Sequence, residues 1–202
     1  MTTELFSAFV LFAFVSSITP GPNNAMLLAS GANFGMARSI PHMLGVSAGF
    51  LVLLLAVGLG LGGLFAAFPA LHGALQVVGA IYLLYLAWKI ATAKGFGGGA
   101  VAARPQRFWQ AVAFQWVNPK AWAMALGAMT TYAPKTHYVT GVFLVSGVFA
   151  AVNLPCIFAW TGFGVGLRRF LDRPVALKAF NLVMAALLVA SLIPLVLEWF
   201  GR

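Results

Sequence analysis

Lys120 is the one ionisable side chain in the middle of an apolar stretch of this chain, and it follows directly on Asn118-Pro119. An ammonium at that depth costs several kcal/mol, about 3 or more, unless it is solvated or paired, so it marks a functional site by default. The plain alternative is a lysine that snorkels to an interface or a carbonyl. Gln115 and Trp116 stand just before it, and Trp122 just after. A second polar interruption, Thr19-Pro20-Gly21-Pro22-Asn23-Asn24, lies in the first apolar stretch. Proline has no backbone N–H and displaces the carbonyl four residues earlier, so Pro20 and Pro22 are expected to free the carbonyls of Ser16 and Ile18. The helix restarting after Pro22 would then offer the N–H groups of Asn23, Asn24 and Ala25. Free N–H groups at the positive end of a helix suit a carboxylate, and unwound carbonyls suit an ammonium or a cation. A zwitterion matches both. A single proline kink is routine in an apolar helix, and the weight here comes from the matched pair.

The elements that must hold these residues are long and apolar. Of 202 residues 62% are hydrophobic and 7% charged, and the mean hydropathy is +0.96, outside the range of soluble domains. Apolar stretches run over about 5–34, 43–68, 71–91, 109–132, 139–167 and 175–200, each long enough for the roughly 20 residues a spanning helix needs. The fold class expected is an all-α polytopic membrane protein with six transmembrane helices, the first and fourth broken. The net charge of +9 does not indicate a nucleic-acid partner, because the basic residues are scattered singly between apolar stretches. Arg38, Lys89, Lys94, Arg104, Arg107, Arg168, Arg169, Arg173 and Lys178 fall on one side of six spans, and Lys135 and Arg202 on the other. By the positive-inside rule the richer side is cytoplasmic and both termini face outward. The first stretch lacks a basic leader and a small-residue cleavage site, so it is expected to be retained.

Hydrophobic periodicity disappears before Arg107, around Gly95-Phe96-Gly97-Gly98-Gly99. The chain therefore divides, within one transmembrane transporter domain over 1–202, into halves 1–93 and 108–202 joined by a cytoplasmic linker 94–107. Setting Pro20 on Pro119 makes the order of broken, glycine-rich and continuous helix recur. With an odd number of spans each, the halves insert in opposite senses, the logic of a 3+3 inverted repeat whose broken helices meet near the bilayer midplane. The helical rise puts both breaks about 16–22 Å from the nearest polar end. Gly45 and Gly49 share a helix face expected to pack on the broken first helix, and the other small-residue pairs read as ordinary helix packing.

Much other chemistry has no residues to support it. Cys156 is the only cysteine, so no disulfide or thiol relay is expected, and it reads as a small buried hydrophobe. His42, His72 and His137 fall in or beside loops with no metal-ligand spacing. Glu4, Asp172 and Glu198 lie near span ends, which deprives a proton-coupled pump of its usual buried carboxylate. No Ser/His/Asp set, HExxH or phosphate-binding loop is present. Neither an enzyme, a cofactor nor a metal site is expected. Trp88, Trp109 and Trp199 fit an interfacial belt, while Trp116 and Trp122 are placed to wall a pocket.

At these motifs the chain resembles the LysE/RhtB family of bacterial amino-acid exporters. The resemblance is carried by Thr19-Pro20-Gly21-Pro22-Asn23-Asn24, the Gly31/Gly35/Gly45/Gly49 series, Tyr82-Leu83-Leu84-Tyr85-Leu86-Ala87-Trp88-Lys89, and Phe114-Gln115-Trp116-Val117-Asn118-Pro119-Lys120. The segments Ala87-Trp88-Lys89-Ile90-Ala91-Thr92 and Phe108-Trp109 look most like the cysteine and O-acetylserine exporter branch. This implies secondary export of small amino acids or close derivatives from the cytoplasm across the bacterial inner membrane, driven by an ion gradient. Asn23 stands where many relatives have Asp, which removes a fixed charge. The expected substrate site comprises Thr19, Pro20, Gly21, Pro22, Asn23, Asn24, Gln115, Trp116, Asn118, Pro119 and Lys120, with Lys120 either drawing a carboxylate or relaying a proton. The expected partners are a small zwitterionic solute, a proton as coupling ion and the lipid bilayer; a homo-oligomer is compatible with these features. The competing reading is an exporter of a cation or metal ion, which His, Cys or acidic ligands within spans would favour.

Overall fold

The computed structural model describes residues 2–61, 63, 67, 69–92, 105–134, 136–171, 173–193 and 196–197. The described chain is helical, with no strand among these residues. Its helices are α1 (Thr3–Ile18), α2 (Pro22–Phe34), α3 (Met36–Ala56), α4 (Pro69–Ala91), α5 (Phe108–Gln115), α6 (Pro119–Tyr132), α7 (Tyr138–Leu167) and α8 (Pro174–Ala190). Two helical stretches, Met36–Leu61 and Tyr138–Phe170, are each long and apolar enough to cross a membrane. The pair α1 and α2 meets the same length and hydropathy test only when taken together, as two helices bent by 55° at their break. Val77–Ala91 and Pro174–Ala190 are shorter apolar helices. Proline explains why α5 and α6 are short: Pro119 opens α6 at its first turn and cannot continue α5. Most of the expected linker, together with Lys94, Arg104, Lys135, Asp172, Glu198, Trp199 and Arg202, lies outside the described residues.

Each proline break begins a helix. Pro22 and Pro119 both sit in the first turn of the helix that follows, where a missing N–H removes no intrahelical bond. The Asn118 side chain caps α6, accepting from Lys120 N–H at 3.2 Å. Between α2 and α3 the chain reverses at Gly35 alone, whose φ of 79° suits a residue without Cβ.

The core is built around α7 and α3. Gly31 of α2 lies against the Thr161 carbonyl, and Gly164 of α7 against that of Leu28, so the two helices approach backbone to backbone. The expectation for Gly45 and Gly49 is corrected. They pack on α5, Gly45 against Phe108 and Ala111 and Gly49 against Val112 and Gln115, so α3 supports the second break. A helix face with two glycines accepts whichever backbone comes closest, and the sequence pattern does not choose between them. Gly79 of α4 meets the Val117 carbonyl inside the same break. Phe9, Phe50 and Phe149 form an aromatic centre, with Phe50 and Phe149 edge to face at 5.1 Å. His42 is also corrected. It lies inside α3 rather than beside a loop, and is 2% exposed, because α3 begins at Met36, immediately after the Gly35 reversal.

Candidate functional site at the two helix breaks

The breaks are brought together by side chains from opposite halves. Lys120, at the start of α6, donates from Nζ to the Thr19 carbonyl at 2.7 Å, the Thr19 hydroxyl at 3.0 Å and the Pro20 carbonyl at 3.1 Å. An ammonium carries three protons, and these three acceptors match that number. Gly21 lies directly beneath the lysine stem; a Cβ there would come within 2.6 Å of Lys120 Cδ. Nearby, Asn23 and Gln115 form a reciprocal amide pair. Asn23 Nδ2 donates to Gln115 Oε1 at 2.8 Å, and Gln115 Nε2 returns a bond to Asn23 Oδ1 at 3.1 Å.

The remaining carbonyls of the first break are satisfied from within the protein, as an apolar surrounding requires. Asn24 Nδ2 donates to the carbonyls of Ser17 and Thr19 at 2.8 and 2.7 Å. The Ser16 carbonyl accepts from the Thr19 hydroxyl at 3.1 Å. The Ile18 carbonyl accepts from Trp160 Nε1 of α7 at 3.1 Å. The carbonyls expected to be free for a ligand are therefore held by protein donors. Ala25 N–H closes on the Gly21 carbonyl at 2.9 Å, which corrects its place among the open donors. No side chain caps α2, so its first turn presents Asn23 and Asn24.

A small cavity of about 20 Å³ lies between these groups. It is lined by Ser16, Ser17, Gly21, Asn23, Asn24, Asn118, Lys120 and Asn153, with Val46, Phe50, Ala121, Met124 and Ile157 on its apolar side. A water occupies roughly 10–15 Å³ on this measure, so the space holds one water in this conformation. Thr19 and Pro20 are exposed on the surface of the protein, while Asn24, Gln115 and Asn118 are buried. Pro22 and Pro119 act by position, opening α2 and α6 beside the cavity. Trp116 and Trp122 do not line it: Trp122 Nε1 donates to the Trp116 carbonyl at 2.8 Å, and both rings pack on the aromatic core. Sequence reasoning missed Ser17, Asn153 and Trp160. Asn153 Nδ2 donates to Ser17 Oγ at 3.0 Å, and a polar residue inside a 30-residue apolar helix was the available signal. Among the described residues no group of three or more His, Cys, Asp or Glu could hold a metal ion.

A family model described as LysE type translocator matches residues 14–197, which include both breaks. The chain belongs to the LysE family. Similar relatives are cysteine/O-acetylserine efflux proteins of Escherichia coli strain K12 and Shigella sonnei strain Ss046, each 36% identical over 191 residues, covering 94% of this chain and 96% of the relative. A protein of the same description from Escherichia coli O139:H28 is 35% identical over the same length. No solved structure matches. Membership of the LysE family makes the chain a multi-pass membrane transporter and not an enzyme.

Proposed function

We propose that this LysE-family protein is a secondary active exporter of small neutral amino acids, of the cysteine and O-acetylserine class, across the bacterial inner membrane. Access to a midplane site between the two breaks alternates as two inversely inserted three-helix halves rock against each other. The observation that carries the reading is the Lys120 ammonium seated on the Thr19 and Pro20 carbonyls across the breaks. Those carbonyls are already filled by an ammonium, so the site is chemically suited to a substrate's ammonium, and Lys120 released from them is suited to its carboxylate. The amides of Asn23, Asn24, Gln115 and Asn118 orient the substrate backbone. A proton is the coupling ion in this reading, with Lys120 the group able to exchange it.

The test is efflux from proteoliposomes loaded with O-acetylserine or cysteine. The expected result is counterflow with the intact chain and background flux with Lys120→Met, while size-exclusion behaviour shows that the variant is inserted and folded. Undiminished flux in Lys120→Met removes that residue from the mechanism. Flux of a divalent cation with none of any small amino acid favours the competing cation exporter.

A further inference from the structure

A second, larger cavity of about 120 Å³ lies toward the end of the molecule that carries Lys89 and Gln106. Its walls come from α2 (Met26, Ser30, Asn33), α3 (His42), α4 (Tyr82, Lys89) and the residues leading into α5 (Gln106). Two of these side chains, buried His42 and half-buried Gln106, carry buried polar atoms that lack partners among the described residues. Neither His42 Nδ1 nor His42 Nε2 has a hydrogen-bond partner, and Gln106 Oε1 has none, although Gln106 Nε2 donates to the Tyr82 hydroxyl at 2.9 Å. A buried polar atom left unpaired costs about 1–3 kcal/mol, and these three belong to side chains that line one cavity, where a rotation toward it would pair them with a polar occupant. A neutral imidazole presents one donor and one acceptor, and the amide oxygen is a further acceptor. Lys89, exposed at the mouth, adds a positive charge. This set suits a solute with a carboxylate at one end and an ammonium at the other.

The cavity is aligned with the midplane site. Asn23, Met26, Ser30 and Asn33 follow one another at spacings of three and four along a single face of α2. Asn23 lines the small cavity and the other three the large one. The seven residues from Asn23 to Ser30 span about 10 Å of helix, with Met26 between the two spaces. In this conformation the space between Asn23 and Lys120 has room for one water, while the His42/Gln106 cavity has room for several, or for one small solute.

We propose that the His42/Gln106 cavity is a second binding site for a small zwitterionic amino acid, occupied on the cytoplasmic side before the solute passes Met26 to the midplane. The Gln106 amide oxygen accepts from the ammonium, and a His42 N–H with Lys89 receives the carboxylate. This rests on the exporter reading above, and the test separates the two. Ser30→Cys, in a Cys156→Ser background, is labelled with a charged, membrane-impermeant methanethiosulfonate in inside-out vesicles, with and without O-acetylserine, serine or alanine as protectant. Expected are labelling from the cytoplasmic face and at least fivefold slowing by one of these amino acids. The slowing persists with Lys120→Met and is lost with His42→Leu and with Gln106→Leu. No labelling, no slowing by any of the three, slowing that vanishes with Lys120→Met, or slowing that survives both cavity variants overturns the proposal. Protection without efflux in the proteoliposome assay defeats the exporter reading and leaves the site standing; efflux without protection does the reverse.

Discussion

Lys120 and the Asn23–Gln115 pair join the two breaks at neighbouring points by different chemistry. The lysine contact is charge-assisted and made to carbonyl and hydroxyl oxygens, so it can be exchanged for a ligand's charges without leaving a carboxylate behind. The amide pair is neutral and reciprocal, and a double-mutant cycle on Asn23→Ala and Gln115→Ala should therefore show coupling of about 1 kcal/mol in thermal or denaturant unfolding in detergent. Additive losses would show that the pair contributes nothing as a unit. Asn23→Asp preserves the shape and replaces one donor by a charge. Its Oδ atoms can still accept from Gln115 Nε2, but Gln115 Oε1 loses its donor, and the efflux rate should acquire a dependence on pH near the carboxylate range that the parent lacks. An unchanged pH profile argues against Asn23 lying in the substrate path. These residues were legible in the sequence because polar groups beside prolines are conspicuous in apolar helices. Their partners were not, since bonds such as Lys120 to Thr19 join residues 101 positions apart.

At the scale of elements, α2 is held from two sides. Its glycine face meets α7, and its break is fastened by Trp160 of that helix and Lys120 of α6. A Cβ at Gly31 would collide with the Thr161 backbone, which cannot yield as a flexible side chain does. Gly31→Leu should accordingly destroy the monodisperse detergent-solubilised protein, and Gly31→Ala should lower its unfolding free energy by about 1–3 kcal/mol. A melting temperature unaltered by Gly31→Ala would show that the two helices have slack to separate. Small-residue spacing foretold close packing here and at Gly45 and Gly49. It did not foretell the partner, because any helix brought within reach satisfies the same face.

For the whole molecule, the basic residues Arg38, Lys89, Arg107, Arg168 and Arg169 stand at or beside helix ends in the order that six spans place on one side. Single cysteines replacing Arg38 and Arg168, with Cys156 changed to Ser, should react with an impermeant thiol reagent in inside-out vesicles. A cysteine at Tyr138 should react in right-side-out vesicles. The reverse pattern would invert the orientation and move the His42/Gln106 cavity to the exit side. Either outcome leaves the relation of the two cavities to α2 unchanged, because that is set by helix geometry.

By itself the sequence determined the solvent and the punctuation of this fold. Apolar runs, sparse charge and two proline breaks are local properties, and the bilayer reads them locally: helices form because lipid cannot satisfy an open backbone. Only the tertiary structure decided how each break is satisfied. It gave the first-break carbonyls to Lys120, Asn24 and Trp160, set the glycines of α3 on α5, and buried His42 with no hydrogen-bond partner among the described residues. Those choices depend on which surfaces meet after the helices have formed, and the free energy of that meeting belongs to pairs of distant residues rather than to any segment of the chain.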